Sequence, residues 1–594
     1  TGSNYLVLLS QILNDPPPQL PAETFSDEFR DFILQCLCKE PEQRPSAEQL
    51  LTHPFIRMYD DSLRPFDMAG FVRSVTEMRR SSKGRCSASR RAMACAVASR
   101  SLCCVARVDG QRVAGQTMGK RWSKRWTSSG KGHRRNDVHA LRVTPSATLD
   151  PIHWALPPSK SHLIRALLLS AQSSQPVELL NVQYAGEDAR AMRRCLQQLG
   201  ISIDDYDIEG QRLTQVNPVH FEHHPDAVKW VVHGAGPSGF KRPATVLNAG
   251  NSGTTLRLLG THAAMIGGPV MLDGDGSLRK RSSAELWGTI EQGGAEVSVG
   301  MGEERLPALI DGPMDAGRLA SGIELDISRS SQPMSSWILA APGLPCEVNL
   351  QLEGEAVSSR HAQLSLQLLH MFGGQASNES GKLSIKPSTL DQVERYSIPG
   401  DASMAAFSLL ACTALARPVE LIDWPKAEDA IGHEVLHAKA KSLGIEWDST
   451  TLTNIDAEGP VELDLRDAND LLPPLAAVLA FNQGGVLKGA AHAAYKESNR
   501  LNRTAEILHQ FGMTAEVTAD GLLIEGGQSP TTPNRPVETH NDHRLFMTAV
   551  LLASKCGGDI VGQTLHLVAD EPFLDRLKAA GIGVERVTLP PLDD

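Results

Sequence analysis

Lysine, arginine and hydroxyl side chains gather at short spacing in six places along the sequence, each a combination suited to holding phosphate or carboxylate. In PPSKSHLIRALLLS, Lys160, Ser161 and Arg165 stand where an apolar helix begins, so the positive end of that helix adds to their charge. Ser161 serves there either as a helix cap or as a ligand to an anion. In NAGNSGTTLRLLG, Asn251, Ser252, Gly253, Thr254 and Thr255 open a second helix, with Arg257 in its first turns. Glycine lets a ligand approach the backbone, whose free N–H groups hold anions. DGSLRKRSS brings Arg279 and Arg281, and RSSQPMSSW brings Ser330, Ser331 and Gln332. YKESNRL adds Lys496, Glu497 and Arg500, and NDHRLFM adds Asp542, His543 and Arg544. Each run taken alone reads as a solvated charged face. Together, in a chain of net charge −11, they point to a multiply anionic ligand.

The elements that must position these residues show a repeat. An amphipathic helix ending in glycine, followed by a short apolar strand, recurs six times: MRRCLQQLGISI, ELWGTIEQGGAEVSV, LSLQLLHMFGG, VLHAKAKSLGIEW, AEILHQFGMTAEV and FLDRLKAAGIGV. The glycines are Gly200, Gly294, Gly373, Gly444, Gly512 and Gly581. After a helix, glycine accepts the left-handed conformation that turns the chain back into a strand. The spacing is too long for a solenoid repeat and predicts an α/β fold of two globular halves, three units in each.

At 594 residues the chain exceeds one compact core. It has no apolar run long enough to span a membrane, and its first residues lack the basic region, apolar core and cleavage site of a secretory signal, so secretion is not expected. Its ten cysteines lack metal-ligand spacing, which suggests a reducing compartment, cytoplasmic or plastid, without structural zinc. From Arg79 to Arg135 there are sixteen Lys or Arg against the single acid Asp109. This stretch, within 61–138, reads as a disordered basic linker rather than a nucleic-acid or membrane binder. In residues 1–60, Phe29, Phe32, Ile33, Leu34 and Cys36 sit at helical spacing from Asp27 to Cys38, and Ser46 caps a helix ending before His53-Pro54. ILNDPPPQLP, FSDEFRDFILQCL and QRPSAEQLLTHPFI resemble the C-terminal end of a mitogen-activated protein kinase kinase catalytic domain. The glycine-rich loop, phosphate-contacting lysine, catalytic aspartate and Asp-Phe-Gly motif are missing, so kinase activity is not expected.

KSxxxR, AGNSGT, SLxxR, SSQ, KESxR and NDHR occur in the order shown by the 5-enolpyruvylshikimate-3-phosphate synthases, and residues 139–588 resemble that family. The resemblance implies two similar domains of three βαβαββ units, 158–399 and 139–157 plus 400–588, with 589–594 as a tail. It implies transfer of the enolpyruvyl group of phosphoenolpyruvate to shikimate 3-phosphate by a monomer, without metal or other cofactor. Shikimate 3-phosphate falls to Lys160, Ser161, Arg165, Thr254, Ser330, Ser331, Gln332, Ser358, Asp470 and Lys496. Phosphoenolpyruvate falls to Lys160, Gly253, Arg281, Gln332, Arg500 and Arg544. Asp470 takes the proton of the attacking hydroxyl, while Glu497 and Lys160 handle protons at the methylene. The related transferase acting on UDP-N-acetylglucosamine lacks the KSxxxR and KESxR combination. The alternatives are an impaired member of the fold and a docking module that uses the N-terminal segments.

His433 and His437 form an HExxH match, but they fall on the fourth repeat helix, whose sisters carry no such pair, and read as ordinary helix residues. Four positions depart from the family pattern: Ser282 replaces a proline, His492 an asparagine and Asn499 an aspartate that helps set Arg500. Val568 or Ala569 stands where a phosphoenolpyruvate-contacting lysine is expected. A charge-assisted hydrogen bond contributes about 1.5–3 kcal/mol, or roughly ten- to a hundredfold in binding. Ala569→Lys, or Val568→Lys in the alternative register, is expected to lower the phosphoenolpyruvate KM several-fold in steady-state kinetics. An unchanged KM in both means that another cation serves there.

Overall fold

A computed structural model describes residues 27–36, 45, 49–50, 53–54, 138–216, 221–300 and 305–590. The chain divides into two units, 1–76 and 77–594. In the first, the expected helix spans Asp27–Cys36. The ring of His53 packs edge-on against Phe32 at 5.4 Å, and its Nε2 lies 3.1 Å from Asp31. Ser46, most of the kinase-like stretch, the basic segment before Val138 and the last four residues lie outside the described residues.

In the second unit the described strands form six sheets. The simplest starts with Leu247–Asn248 and continues through the helix Gly253–Met265 to the parallel strand Gly268–Asp273. The helix Ala284–Gln292 follows, and the hairpin strands Glu296–Ser298 and Ala308–Gly312 complete the unit. The same order recurs from Ile323 to Lys386 and from Val461 to Ile524. The other three units borrow a strand from a distant part of the chain. Ile152–Ala155 runs parallel to Val419–Ile422, and Arg395–Ser397 runs parallel to Pro176–Leu180. Val138–Thr144 lies antiparallel between Gly558–Val561 and Gly583–Leu589. The sheets are therefore mixed, and the fold is α/β as the repeat predicts.

The physical basis of the repeat is visible at its glycines. Gly200, Gly294, Gly373, Gly444, Gly512 and Gly581 have φ of 93°, 98°, 103°, 75°, 75° and 82°, a region where a Cβ clashes with the backbone. One repeat departs from expectation. The fourth helix shrinks to Val435–Ala438, so His433 lies in the turn before it. The ring of His437 packs 5.0 Å from Trp447, while His433 is buried beside Asp401 and Asp470. The two histidines thus face different neighbours.

The apolar interior falls into two clusters. One draws on residues 141–156 and 404–582, the other on 163–398 together with Ile431. Where the chain passes between them, its two strands lie side by side. Pro158 pairs with Gly400, Ser159 N–H donates to the Pro399 carbonyl, and Asp401 N–H donates to that of Pro157, both at 2.8 Å. Among the described residues no helix is long and apolar enough to cross a membrane.

Gly400 has no room for a side chain: an added Cβ would lie 2.0 Å from the Asp423 carbonyl oxygen and 3.2 Å from Leu156 Cβ. Gly400→Ala is therefore expected to destabilise the fold by about 1–3 kcal/mol, the usual cost of overpacking, read as a lower urea midpoint.

Candidate active site

Four of the six charged motifs lie where the first helix of a unit begins, and the two with Arg281 and Arg500 lie just before or at the start of a second helix. Lys160 opens Lys160–Gln172, Gly253 opens Gly253–Met265 and Gln332 opens Gln332–Ala340. The short 3-10 turns Ala402–Met404 and Asn469–Leu471 and the helix His543–Cys556 complete the set. Contacts between these starts run unbroken from one to the next.

Arg500 is the most heavily paired member. It is 1% exposed, and its Nε donates to Asp542 Oδ2 at 2.8 Å and its Nη1 to Asp470 Oδ1 at 2.6 Å. Its Nη2 bonds Glu497. Arg544 lies on the other side of Asp470, donating to its carbonyl at 3.1 Å and to Oδ2 at 3.3 Å. Arg281 approaches Glu497 to 3.8 Å and holds the Asn251 turn through its backbone and side-chain oxygens at 3.1 and 2.8 Å. Lys160 Nζ pairs with Asp188 at 3.0 Å. Lys496 has no carboxylate within 4 Å among the described residues; its charge is felt by Asp470.

Electrostatics follow from this crowding. Burial alone would raise the Asp470 carboxyl, but Arg544, Lys496, Arg500 and Lys160 overcome it and hold the group well below the usual carboxylate range. Glu497 is likewise held down against its burial, by Arg500, Arg281, His543 and Lys160. Burial works against the Lys160 ammonium, yet Asp188, Glu497 and Asp470 raise its pKa. Lys496 is lowered by burial despite Asp470. Burial and the nearby Lys160 push His543 down to about 3.

A second group is built from hydroxyls around two buried guanidiniums. Arg165 Nε donates to Ser365 at 2.8 Å, and its other nitrogens reach the carbonyls of Ser161 and His361. Among the described residues no carboxylate pairs with it, and burial lowers it to about 10. Ser161 is the second residue of its helix; the cap position belongs to Ser159. Arg257 bonds Gln332, Ser283 and the Ser282 carbonyl. The Gln332 side-chain amide in turn donates to Thr254 at 3.0 Å, and its backbone N–H donates to the Ser330 hydroxyl oxygen at 3.2 Å. The Ser331 side chain makes no capping bond. A Cβ on Gly253 would sit 2.9 Å from Arg257 and 3.6 Å from Arg281, so glycine admits two guanidiniums beside the backbone. Ser358, at φ 52°, is reached by Asn469 Nδ2 at 3.3 Å.

The contact chain therefore brings every motif into one neighbourhood, and it resolves the departures. Asn499 caps its helix by accepting Asn502 N–H, while three carboxylates set Arg500, so the aspartate missing at 499 leaves that arginine fixed. His492 joins Asn469 and lies 3.5 Å from the Ser358 hydroxyl. Ser282 supplies a carbonyl to Arg257. Ala569 is 4% exposed and, with Val568, packs against Gly186; neither brings a cation. Asp188, Arg257, Asp401 and Ser403 are site neighbours that the motif reading left without a role. IPGDAS, at the second chain crossing, was the available signal for Asp401 and Ser403.

This fold of repeated α/β units has counterparts among known proteins. The family profile described as EPSP synthase (3-phosphoshikimate 1-carboxyvinyltransferase) matches residues 153–569. A 3-phosphoshikimate 1-carboxyvinyltransferase of Idiomarina loihiensis is 31% identical over 415 residues, 68% of this chain and 90% of its own. One from Methanothermobacter thermautotrophicus is 28% identical over 446 residues, 74% of this chain and 98% of its own. The crystal structure of the EPSP synthase of Acinetobacter baumannii superposes with a TM-score of 0.58 at 22% identity, over 75% of this chain and all of that one. The chain belongs to the EPSP synthase family.

Asp470 and Glu497 titrate lower folded than unfolded. Each therefore contributes stability that is complete above the unfolded-chain value near 4 and is lost as pH falls through the lower folded value. Asp470→Asn and Glu497→Gln are expected to be less stable than the wild type at about pH 6, with the gap closing towards about pH 3. Urea unfolding across that range checks it; a gap independent of pH means that the carboxylates are not held down.

Proposed function

We propose that this protein transfers the enolpyruvyl group of phosphoenolpyruvate to the 5-hydroxyl of shikimate 3-phosphate and releases phosphate. The observation that carries this reading is the convergence of Lys160, Arg281, Arg500 and Arg544 around two ionised carboxylates, Asp470 and Glu497. Each substrate brings a phosphate and a carboxylate, and only several fixed cations overcome the repulsion between them. Lys160, Gly253, Arg281, Gln332, Arg500 and Arg544 take phosphoenolpyruvate. Lys160, Ser161, Arg165, Thr254, Ser330, Ser331, Gln332, Ser358, Asp470 and Lys496 take shikimate 3-phosphate.

The same cations already hold protein carboxylates, so binding is an exchange of anions. When substrate oxygens replace Asp470 and Glu497 at the arginines, both carboxyls lose the charges that depress them and become stronger bases. Asp470 then accepts the proton of the 5-hydroxyl as its oxygen adds to the central carbon of phosphoenolpyruvate. Glu497 and Lys160 deliver a proton to the methylene, which becomes a methyl group. In the second step a proton leaves that methyl and phosphate departs, restoring the double bond in the product. These roles use one copy of the chain, with 158–399 and 139–157 plus 400–588 closing over the substrates and excluding water. A reducing compartment, cytoplasm or plastid, suits the free cysteines Cys195, Cys346, Cys412 and Cys556 of this unit.

Phosphate release from phosphoenolpyruvate is expected to depend on shikimate 3-phosphate and to survive a chelator. Asp470→Ala and Glu497→Ala should each cost roughly 10²–10⁴ in kcat, with a smaller effect on binding. Equal turnover with UDP-N-acetylglucosamine overturns the substrate assignment. Silence with both acceptors favours a non-catalytic member of the fold.

A further inference from the structure

The helix that begins at Lys160 is capped from far away. Ser159 holds the cap position and is of the right type, but it makes no side-chain cap bond, because its hydroxyl pairs with His162 Nδ1 at 2.9 Å. The acceptor is instead Asp401, 241 residues on, whose Oδ2 takes the Lys160 N–H at 3.2 Å. The other oxygen of the same carboxylate takes the N–H and the hydroxyl of Ser403 at 3.0 and 2.6 Å. With its proton committed to Asp401, the Ser403 oxygen is free to accept, and Arg544 Nη2 donates to it at 2.9 Å. Arg544 then reaches Asp470. One carboxylate, 8% exposed and standing at the paired chain crossing, thus joins the backbone of one site cation to the guanidinium of another.

We infer that Asp401 is a positioning residue that couples the two substrate sites, so that Arg544 is aimed at phosphoenolpyruvate only while the Lys160 helix start is in place. This rests on the assignment of phosphoenolpyruvate to Arg544 and of shikimate 3-phosphate to the Lys160 helix. A carboxylate that merely caps would serve one helix. Here its two oxygens serve helix starts from the two apolar clusters, and Ser403 passes the constraint to a side chain that no cap requires. Asparagine at 401 retains one acceptor oxygen and offers an amide that cannot accept, so either Lys160 N–H or Ser403 loses its partner. Removing the Ser403 hydroxyl cuts the link at its second step and leaves the cap of the Lys160 helix intact.

The test uses the full chain as wild type, Asp401→Asn, Ser403→Ala and the double variant. In turnover assays Asp401→Asn and Ser403→Ala are each expected to raise the phosphoenolpyruvate KM about tenfold. The double variant is expected to be no worse than Asp401→Asn alone, because both changes cut one path. Independent effects, multiplying to about a hundredfold, overturn the inference. So does a lower melting temperature with an unchanged KM, which is all that a lost cap produces. A wild type that does not turn over refutes the proposed reaction but still permits the second readout. Calorimetry then gives the factor by which shikimate 3-phosphate tightens inorganic phosphate, expected to fall about tenfold in Ser403→Ala. An unchanged factor, or no coupling in the wild type, overturns the inference. Ser403→Ala carries the test if Asp401→Asn does not fold.

Discussion

Like charges forced into one low-dielectric cleft repel one another, and everything around this site serves to hold them there. A buried guanidinium without a partner costs several kcal/mol. Arg500 is tolerable only because Asp542, Asp470 and Glu497 meet it from three directions. Those carboxylates in turn come from three different elements, so the charge cluster requires the helix starts to be correctly placed before it can form. Arg165 and Arg257 are handled differently. Among the described residues neither bonds a carboxylate, and hydroxyls, an amide and carbonyls accept their hydrogen bonds. The site therefore contains two kinds of cation: those with an internal anion to exchange for a ligand, and those whose charge stands open to one.

Much of this was legible in the sequence because its causes are local. A glycine at positive φ marks the reversal from helix to strand in five of the six repeats, while Gly444, also at positive φ, closes a run of turns beyond Val435–Ala438. A hydroxyl or amide beside a cation at the start of an apolar run is likewise a local signal, and each motif lies at a helix start or adjoining turn. The fourth repeat differs from its sequence pattern: VLHAKAKSLG has apolar helical spacing, yet only Val435–Ala438 is α-helix, and turns occupy the rest.

Pairings across the fold were not legible. Nothing near Lys160 announces that its helix is capped by Asp401, and Ser159 suggests a local cap that the structure does not use. Arg281 meets Glu497 and Asp188 meets Lys160 only after the sheets have set the helix starts. The same distinction explains the departures. Asn499 looked like a loss for Arg500 in a linear motif, yet the side chains that fix the arginine come from positions 470, 497 and 542. A motif reports which residues accompany one another, and only packing reports which of them touch.

The strand Val138–Thr144 has a consequence for the life of the chain before it is an enzyme. It is synthesised well before both of its neighbours; Arg142 and its partner Asp559 are 417 residues apart. The apolar cluster of 163–398, by contrast, is contiguous apart from Ile431 and can begin to consolidate while the ribosome is still working. Until residues 558–589 have been made, that strand has neither of its neighbours, and an unpaired edge is the state in which strands pair with the wrong chain. Its alternation is a partial safeguard: His139, Arg142 and Thr144 stay exposed while Ala140, Leu141 and Val143 turn inward. The pairing that completes this sheet is therefore a long-range one, of the kind that topology makes slow to form.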